Sequence, residues 1–324
     1  MPLDLHCLSH TPILGQVPID PATDAEVRGA LAATRDSIAA FDPELVILFA
    51  PDHYSGFFHG LMPSFCVGIA ADSIGDYGSS GGALDVPEEI ALGCVRACHA
   101  DGVDVAFSRA MQVDHGFAQP LDLVCGGLTR YPVVPVFINA AGQPVAPIAR
   151  SRALGAAIGR YLARDHPERR VVVIGSGGLS HDPPVPQLDT APPEIRARLI
   201  AGGARPPSVQ KAHEGRVIAA AMAFSAADPL VGGGTQRPLN PAWDRHILDL
   251  LASGNFDALD ALDNADITRD GGIAGHEIRT WVAAHACLDA VGPWRADPPY
   301  YRPVAEWMAG FAVSHAAPLA LQDA

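Results

Sequence analysis

Apolar residues along this chain gather either in short unbroken runs or in longer stretches where they recur every three to four positions. Residues 44–50 and 170–174 are aliphatic runs closed by turn-forming residues, Pro51-Asp52 after the first and Gly175-Ser176-Gly177-Gly178 after the second. Runs of this length, rich in β-branched side chains, predict strands buried on both faces. A third run over 132–139 has the same composition, and Leu3-Asp4-Leu5 predicts a strand that enters a loop before Pro12. Helical periodicity appears over 24–40, 153–164, 208–227 and 241–253, and a buried helix opens at Gly275 and runs through Ala290. Strands alternating with helices predict an α/β fold: one compact domain, 1–324, with a central mixed sheet flanked by helices and its active site on loops at strand ends. The Pro-, Gly- and Ala-rich stretch over 182–240 reads as an elaboration covering that site.

Composition narrows the class. The six cysteines are scattered, with no paired C-x-x-C motif, so they read as buried thiols in a reducing compartment. Cys94 and Cys98 share a helical face, where packing is the simpler account. A net charge of −14 excludes binding to a phosphate backbone, so nucleic acid is not expected as a partner. The same charge repels small anions, and an acidic substrate would need a local arginine cluster in its pocket. No basic segment precedes an apolar one at Met1-Pro2-Leu3-Asp4, and no stretch is long and apolar enough for a bilayer; a cytoplasmic protein without membrane attachment is the expectation.

Candidate chemistry lies in the histidines. His10, His53, His115 and His181 each sit beside Pro, Gly or Asp where an element ends, whereas His99, His166, His213, His246 and His315 fall in helical or terminal settings and read as structural or solvated. Imidazole is a common metal ligand and moves protons near neutral pH, so the four loop histidines point to a metal-dependent enzyme. His6 and His10 have helical i,i+4 spacing, but the strand reading places His10 in the loop. Glu277, in Gly275-His276-Glu277, stands at a helix start, where the helix dipole favours a carboxylate with no catalytic role; locally a capping residue is the simpler reading. The glycines at 175–178 fit neither G-x-G-x-x-G nor a P-loop and are expected to form a tight turn that aims His181. No G-x-S-x-G is present for a serine hydrolase.

Longer motifs are more specific. Ser9-His10-Thr11-Pro12, Phe49-Ala50-Pro51-Asp52-His53-Tyr54, Met111-Gln112-Val113-Asp114-His115-Gly116-Phe117 and Gly175-Ser176-Gly177-Gly178-Leu179-Ser180-His181 resemble the class III extradiol ring-cleaving dioxygenases, the protocatechuate 4,5-dioxygenase superfamily. The resemblance extends over nearly the whole chain. Leu5-His6-Cys7-Leu8-Ser9-His10, Val113 to Pro120 and Tyr300-Tyr301-Arg302-Pro303 narrow it to members acting on catechols with a propionate or acrylate side chain.

This resemblance implies an Fe(II) cofactor bound by His10, His53 and Glu277, with His115 as proton donor and His181 as proton acceptor. Two imidazoles and a carboxylate on one face of Fe(II) leave adjacent positions for both catechol oxygens and O₂. Asp52 and Asp114, next to His53 and His115, are candidates to orient the ligands or simply to cap turns. For the substrate carboxylate, Arg302 and Arg237 are the sequence candidates, since a buried carboxylate calls for a bidentate arginine. The resemblance also implies a homotetramer. Two rivals stand beside this reading: a zinc hydrolase using the same histidines, and a non-enzymatic binding protein of the same fold, against which the retention of all four histidines argues.

Overall fold

The computed structural model describes residues 1–183, 185–203, 205–225 and 237–319. The first half contains β1 (Leu3–Ser9), α1 (Pro21–Phe41), β2 (Leu45–Ala50), β3 (Phe65–Gly68), β4 (Ala71–Ile74) and β5 (Gly81–Ala83). It continues through α2 (Glu88–Ala100), β6 (Ala106–Ser108), β7 (Met111–Val113), α3 (His115–Pro120), β8 (Val133–Ile138) and α4 (Ile148–Asp165). Next come β9 (Val171–Gly177), α5 (Pro193–Ala201), α6 (Pro207–Ser225), α7 (Pro241–Ala252), α8 (Phe256–Asp260) and α9 (Asn264–Gly271). The last elements are α10 (Ile278–Asp289), β10 (Trp294–Ala296), β11 (Tyr300–Val304) and β12 (Ala309–Pro318).

A nine-stranded mixed sheet, ordered β10-β12-β1-β9-β2-β8-β3-β6 with β11 paired to β12, forms the centre. The neighbours β1, β9, β2 and β8 run parallel, whereas β3 and β12 pair antiparallel to this block. Leu45, Ile47 and Phe49 of β2 enter the core shared with α4 and α10, while Val46, Leu48 and Ala50 enter the core shared with α1. Each fully buried side chain of this kind contributes about 1.5–3 kcal/mol. Because both faces are covered, these strands carry no alternating polar residues, which accounts for the unbroken runs in the sequence.

Two parts of the sequence reading change. The run at 170–174 extends through Gly177, so Gly175, Ser176 and Gly177 are strand and not turn. A Cβ at Gly175 would come within 2.8 Å of Cys7 Sγ and 3.1 Å of Trp281 Cα, and one at Gly177 within 2.8 Å of the Glu277 carbonyl oxygen. These glycines allow α10 to lie directly on β9. Strands β3 to β7 and β10 to β12 and helix α5 were not anticipated, being short, proline-interrupted or low in aliphatic content. Finally, the helix expected over 208–227 is α6, with residues 226–227 outside the described residues. No helix among the described residues is long and apolar enough to cross a membrane.

Away from the carboxyl ends of the parallel strands, His6 and His315 are register partners across β1 and β12. Asp4 accepts from His315 Nε2 at 2.6 Å and lies 3.0 Å from His6 Nε2, while His315 Nδ1 meets Asp297 at 2.8 Å. The bond to Asp4, opposed by burial and reinforced by Asp297, lifts His315 from 6.5 to about 9. A raised histidine stabilises the fold fully below its unfolded pKa, and that contribution disappears as pH rises through the folded value. His315→Gln is therefore expected to cost about 1 kcal/mol at pH 6 and much less at pH 10, after allowance for solvent screening. Urea midpoints at the two pH values measure this; equal losses would assign the residue to packing alone.

Candidate metal centre and proton-transfer site

The parallel strands deliver their carboxyl ends to one edge of the sheet, the usual place for a site in an open α/β fold. His10 follows β1 directly and its N–H donates to Gly177 O at 2.9 Å. His53 lies just beyond β2, with its backbone N–H on Asp114 Oδ2 at 2.8 Å. His115 is the first residue of α3, where Asp114 caps the helix by accepting from Gly116 N at 3.0 Å. His181 follows β9, held by its N–H to Gly271 O at 2.9 Å. Ring centroids are 5.3 Å apart for His10 and His53, 5.6 Å for His10 and His115, and 4.5 Å for the stacked pair His53 and His115.

Glu277 enters from the far end of the sequence. It ends the 3-10 turn Ala274–Glu277 that leads into α10, and that turn sits against Gly177 and Gly178. Thr280 fixes the dock by donating to Ser176 O at 2.8 Å. The Glu277 side chain makes no capping hydrogen bond to α10, so the local capping reading does not hold. Its carboxylate instead lies 3.3 Å from His181 Nε2, 3.4 Å from His53 Nε2 and 3.9 Å from His10 Nε2. Neighbouring His276 turns away, bonding Thr268 Oγ1 and Arg279 Nη1, each at 2.7 Å.

All four imidazoles share one wiring. His53 Nδ1 meets Asp114 Oδ2 at 3.1 Å, His115 Nδ1 meets Asp76 Oδ2 at 2.6 Å, and His181 Nδ1 meets Leu179 O at 2.9 Å. Carbonyls and carboxylates only accept, so each Nδ1 carries a proton. For His10 the partner is Ser176 Oγ at 3.0 Å. That hydroxyl gives its own proton to Gly116 O at 2.7 Å, so it accepts from His10 as well. In the neutral rings every Nε2 is left as a lone pair, the state suited to a metal ligand or a base.

The electrostatics match this wiring. Burial pushes Glu277 upward, but His181 and His10 outweigh it and hold the carboxyl well below its ordinary range. Burial also opposes protonation of His53 and His181, yet Asp114 and Glu277 raise the first and Glu277 the second. His10 is pushed down to about 3, chiefly by burial. Glu277 Oε2 and His115 Nε2 are buried without hydrogen-bond partners among the described residues. Lone pairs of several imidazoles thus face one buried carboxylate. A proton relieves one such contact, whereas a divalent cation relieves them together, so the donor set fits a metal. One nitrogen from each of His10, His53 and His115 also lies within 4.8 Å of the others, which makes a three-imidazole set a geometric rival to His10, His53 and Glu277.

The two neighbouring aspartates divide the roles expected of them. Asp114 holds His53, while Asp52 accepts from the backbone N–H groups of Ser55, Gly56 and Phe57 and shapes the turn; burial and Asp114 push it up to about 7. Neither arginine singled out from the sequence has a free charge. Arg302 is exposed and pairs with Glu26 at 2.8 and 2.9 Å. Arg237 donates to Thr268 O at 2.8 Å and lies 3.7 Å from Asp182. A substrate anion at either residue would have to compete with these partners. Sequence reasoning missed Ser176, hidden within an expected glycine turn, and Asp76, in a short turn with no periodic signal. Tyr77, whose ring meets His115 edge-on at 5.1 Å, was missed for the same reason as Asp76.

Residues 4–312 match the family described as the catalytic LigB subunit of aromatic ring-opening dioxygenase. The chain is 52% identical over 322 residues to a 2,3-dihydroxyphenylpropionate/2,3-dihydroxicinnamic acid 1,2-dioxygenase of Cupriavidus necator, covering 99% of this chain and 100% of that protein. It is 51% identical over 321 residues to the protein of the same name from Cupriavidus pinatubonensis, with the same coverage. A like-named Escherichia coli protein is 49% identical over 310 residues, covering 95% of this chain and 96% of its own length.

Proposed function

The chain belongs to the LigB family of aromatic ring-opening dioxygenases, and from that premise we propose that it cleaves a catechol with a three-carbon acid side chain by extradiol reaction with O₂. His10, His53 and Glu277 would hold the ferrous ion, and the product is a 2-hydroxy-6-oxo dienoic diacid. The observation that carries this reading is the convergence of the Nε2 atoms of His10, His53 and His181 on buried Glu277, beside the unpartnered Nε2 of His115. The named relatives supply the substrate class.

When bound, Fe(II) supplies open positions where both catechol oxygens and O₂ meet and a path for electrons between them. His181 accepts a proton at Nε2 from a catechol hydroxyl, because its Nδ1–H is committed to Leu179 O. The proton shed by the first hydroxyl therefore stays inside the site. His115 donates a proton from Nε2 to oxygen as the ring opens, its ring oriented by the contact of Nδ1 with Asp76. Asp114 and Ser176 keep His53 and His10 in the tautomer whose lone pair faces inward. Burial of His10, His115 and Glu277 excludes bulk water from this chemistry.

The test is reconstitution of protein purified without oxygen, loaded separately with Fe(II) and Zn(II). The Fe(II) form is expected to consume one O₂ per 3-(2,3-dihydroxyphenyl)propanoate and give a yellow product, with the Zn(II) form inert. No oxygen uptake by the Fe(II) form across a catechol panel would overturn the reading. Hydrolysis by the Zn(II) form would replace it with metal-activated water.

A further inference from the structure

A substrate of this class carries a carboxylate that the imidazole cluster has no means to hold, in a protein whose net charge is −14. Helices α5 and α6 and the residues between them carry a group of cations, Arg198, Arg205 and Arg216. Arg198 and Arg205 are both partly buried, and among the described residues neither they nor Arg216 forms an ion pair within 4.0 Å. Arg198 donates to Tyr54 O at 3.4 Å, one residue beyond His53. The segment carrying it is anchored where His59 N–H donates to Leu199 O at 2.8 Å, and Gly202 lies against Phe58.

Arg205 reaches the opposite flank. It donates to Gln210 at 3.0 Å; Gln210 donates to Glu214 at 2.9 Å, and Glu214 accepts from Tyr77 N at 3.3 Å. Tyr77 is the residue whose ring lies edge-on to His115. Helix α6 also packs on the turn Asp76–Gly78. Arg198 thus stands beside the segment that carries His53, Arg205 is linked to the turn whose Asp76 holds His115, and Arg205 repels Arg198. Burial and the neighbouring arginines Arg205, Arg216 and Arg198 push His213 down to about 4, so the positive field is concentrated on this side.

Partly buried guanidinium groups without a carboxylate are costly, and an incoming anion offsets that cost with charge-assisted hydrogen bonds. We propose that Arg198 and Arg205 form the anion-binding end of the substrate pocket and grip the side-chain carboxylate while the catechol ring lies between His115 and His181. The assignment rests on the ring-cleavage reading for the position of the ring, but the anion site itself can be measured without turnover. Arg198 lies on α5 and Arg205 between α5 and α6, so this part of the chain selects the substrate.

Calorimetric titration with 3-phenylpropanoate, which has the carboxylate and no hydroxyls, probes the anion site directly. Arg198→Met and Arg205→Met are each expected to weaken its binding about 10–100-fold. Arg205→Lys should recover part of the loss, because it keeps the charge and loses the fork. In turnover, each Met variant is expected to lower the ratio of kcat/KM for 3-(2,3-dihydroxyphenyl)propanoate to that for 3-propylcatechol by a similar factor. Undiminished 3-phenylpropanoate binding by folded Met variants, or an undiminished ratio, overturns the assignment. Wild-type protein that cleaves both catechols equally well also overturns it and leaves the ring-cleavage reading standing. If wild-type protein cleaves neither, that reading fails, and the titration alone decides the anion site.

Discussion

Replacing either His53 or Glu277 by alanine is expected to empty the metal centre and abolish ring cleavage. Both residues point inward from rigid supports, His53 from Asp114 and Glu277 from a turn docked on β9. Loss of a ligand removes a metal bond outright, whereas loss of an orienting partner typically costs about 10–100-fold in metal affinity. Asp114→Asn should accordingly bind iron more weakly, and excess Fe(II) should restore its loading, while His53→Ala should stay largely unloaded at the same concentration. Iron per chain after gel filtration, measured by atomic absorption, reads this directly. Full iron content in both alanine variants would reject the proposed ligand set. His115 is the informative control: if His115→Gln loses iron as completely as His53→Ala, three imidazoles hold the ion and Glu277 has another task.

The second large effect concerns proton transfer. His115→Gln and His181→Gln are each expected to lower kcat by about 10²–10⁴ while iron content remains close to one per chain. Glutamine preserves some hydrogen bonding and approximate size but neither takes up nor releases a proton near neutral pH. The two losses should also differ in kind. Without His181 the catechol must arrive already deprotonated, so a more acidic nitrocatechol should recover part of the rate. Without His115 substrate acidity should have little influence, because the missing proton is needed later. Stopped-flow absorbance at the catecholate band separates the two, and identical responses to substrate acidity would show that the histidines do not divide the work this way.

Much of the fold was legible because the parallel strands are buried on both faces and leave uninterrupted aliphatic runs. The same regularity marked the end of β2, and with it the position of His53. Less could be read where contacts distant in sequence decide the structure. Gly175 and Gly177 are indistinguishable from turn glycines until α10 is seen lying on them. Glu277 has the local pattern of a helix-start residue, and only docking against β9 turns its carboxylate toward the imidazoles. Arg302 and Arg237 looked available by composition, but Glu26 and Asp182, far away in the chain, already neutralise them. Arg198 and Arg205 carry no motif. Their interest comes from having no ion-pair partner within 4.0 Å among the described residues.

The glycine track beneath α10 has a consequence for the order of events during biosynthesis. A ribosome releasing this chain presents His10 and His53 early, but the carboxylate that joins them is polymerised at position 277 and becomes useful only after its helix has settled onto β9. If His10, His53 and Glu277 are the ligands, iron would be held only once translation has passed position 277, because the two imidazoles alone would lack the carboxylate.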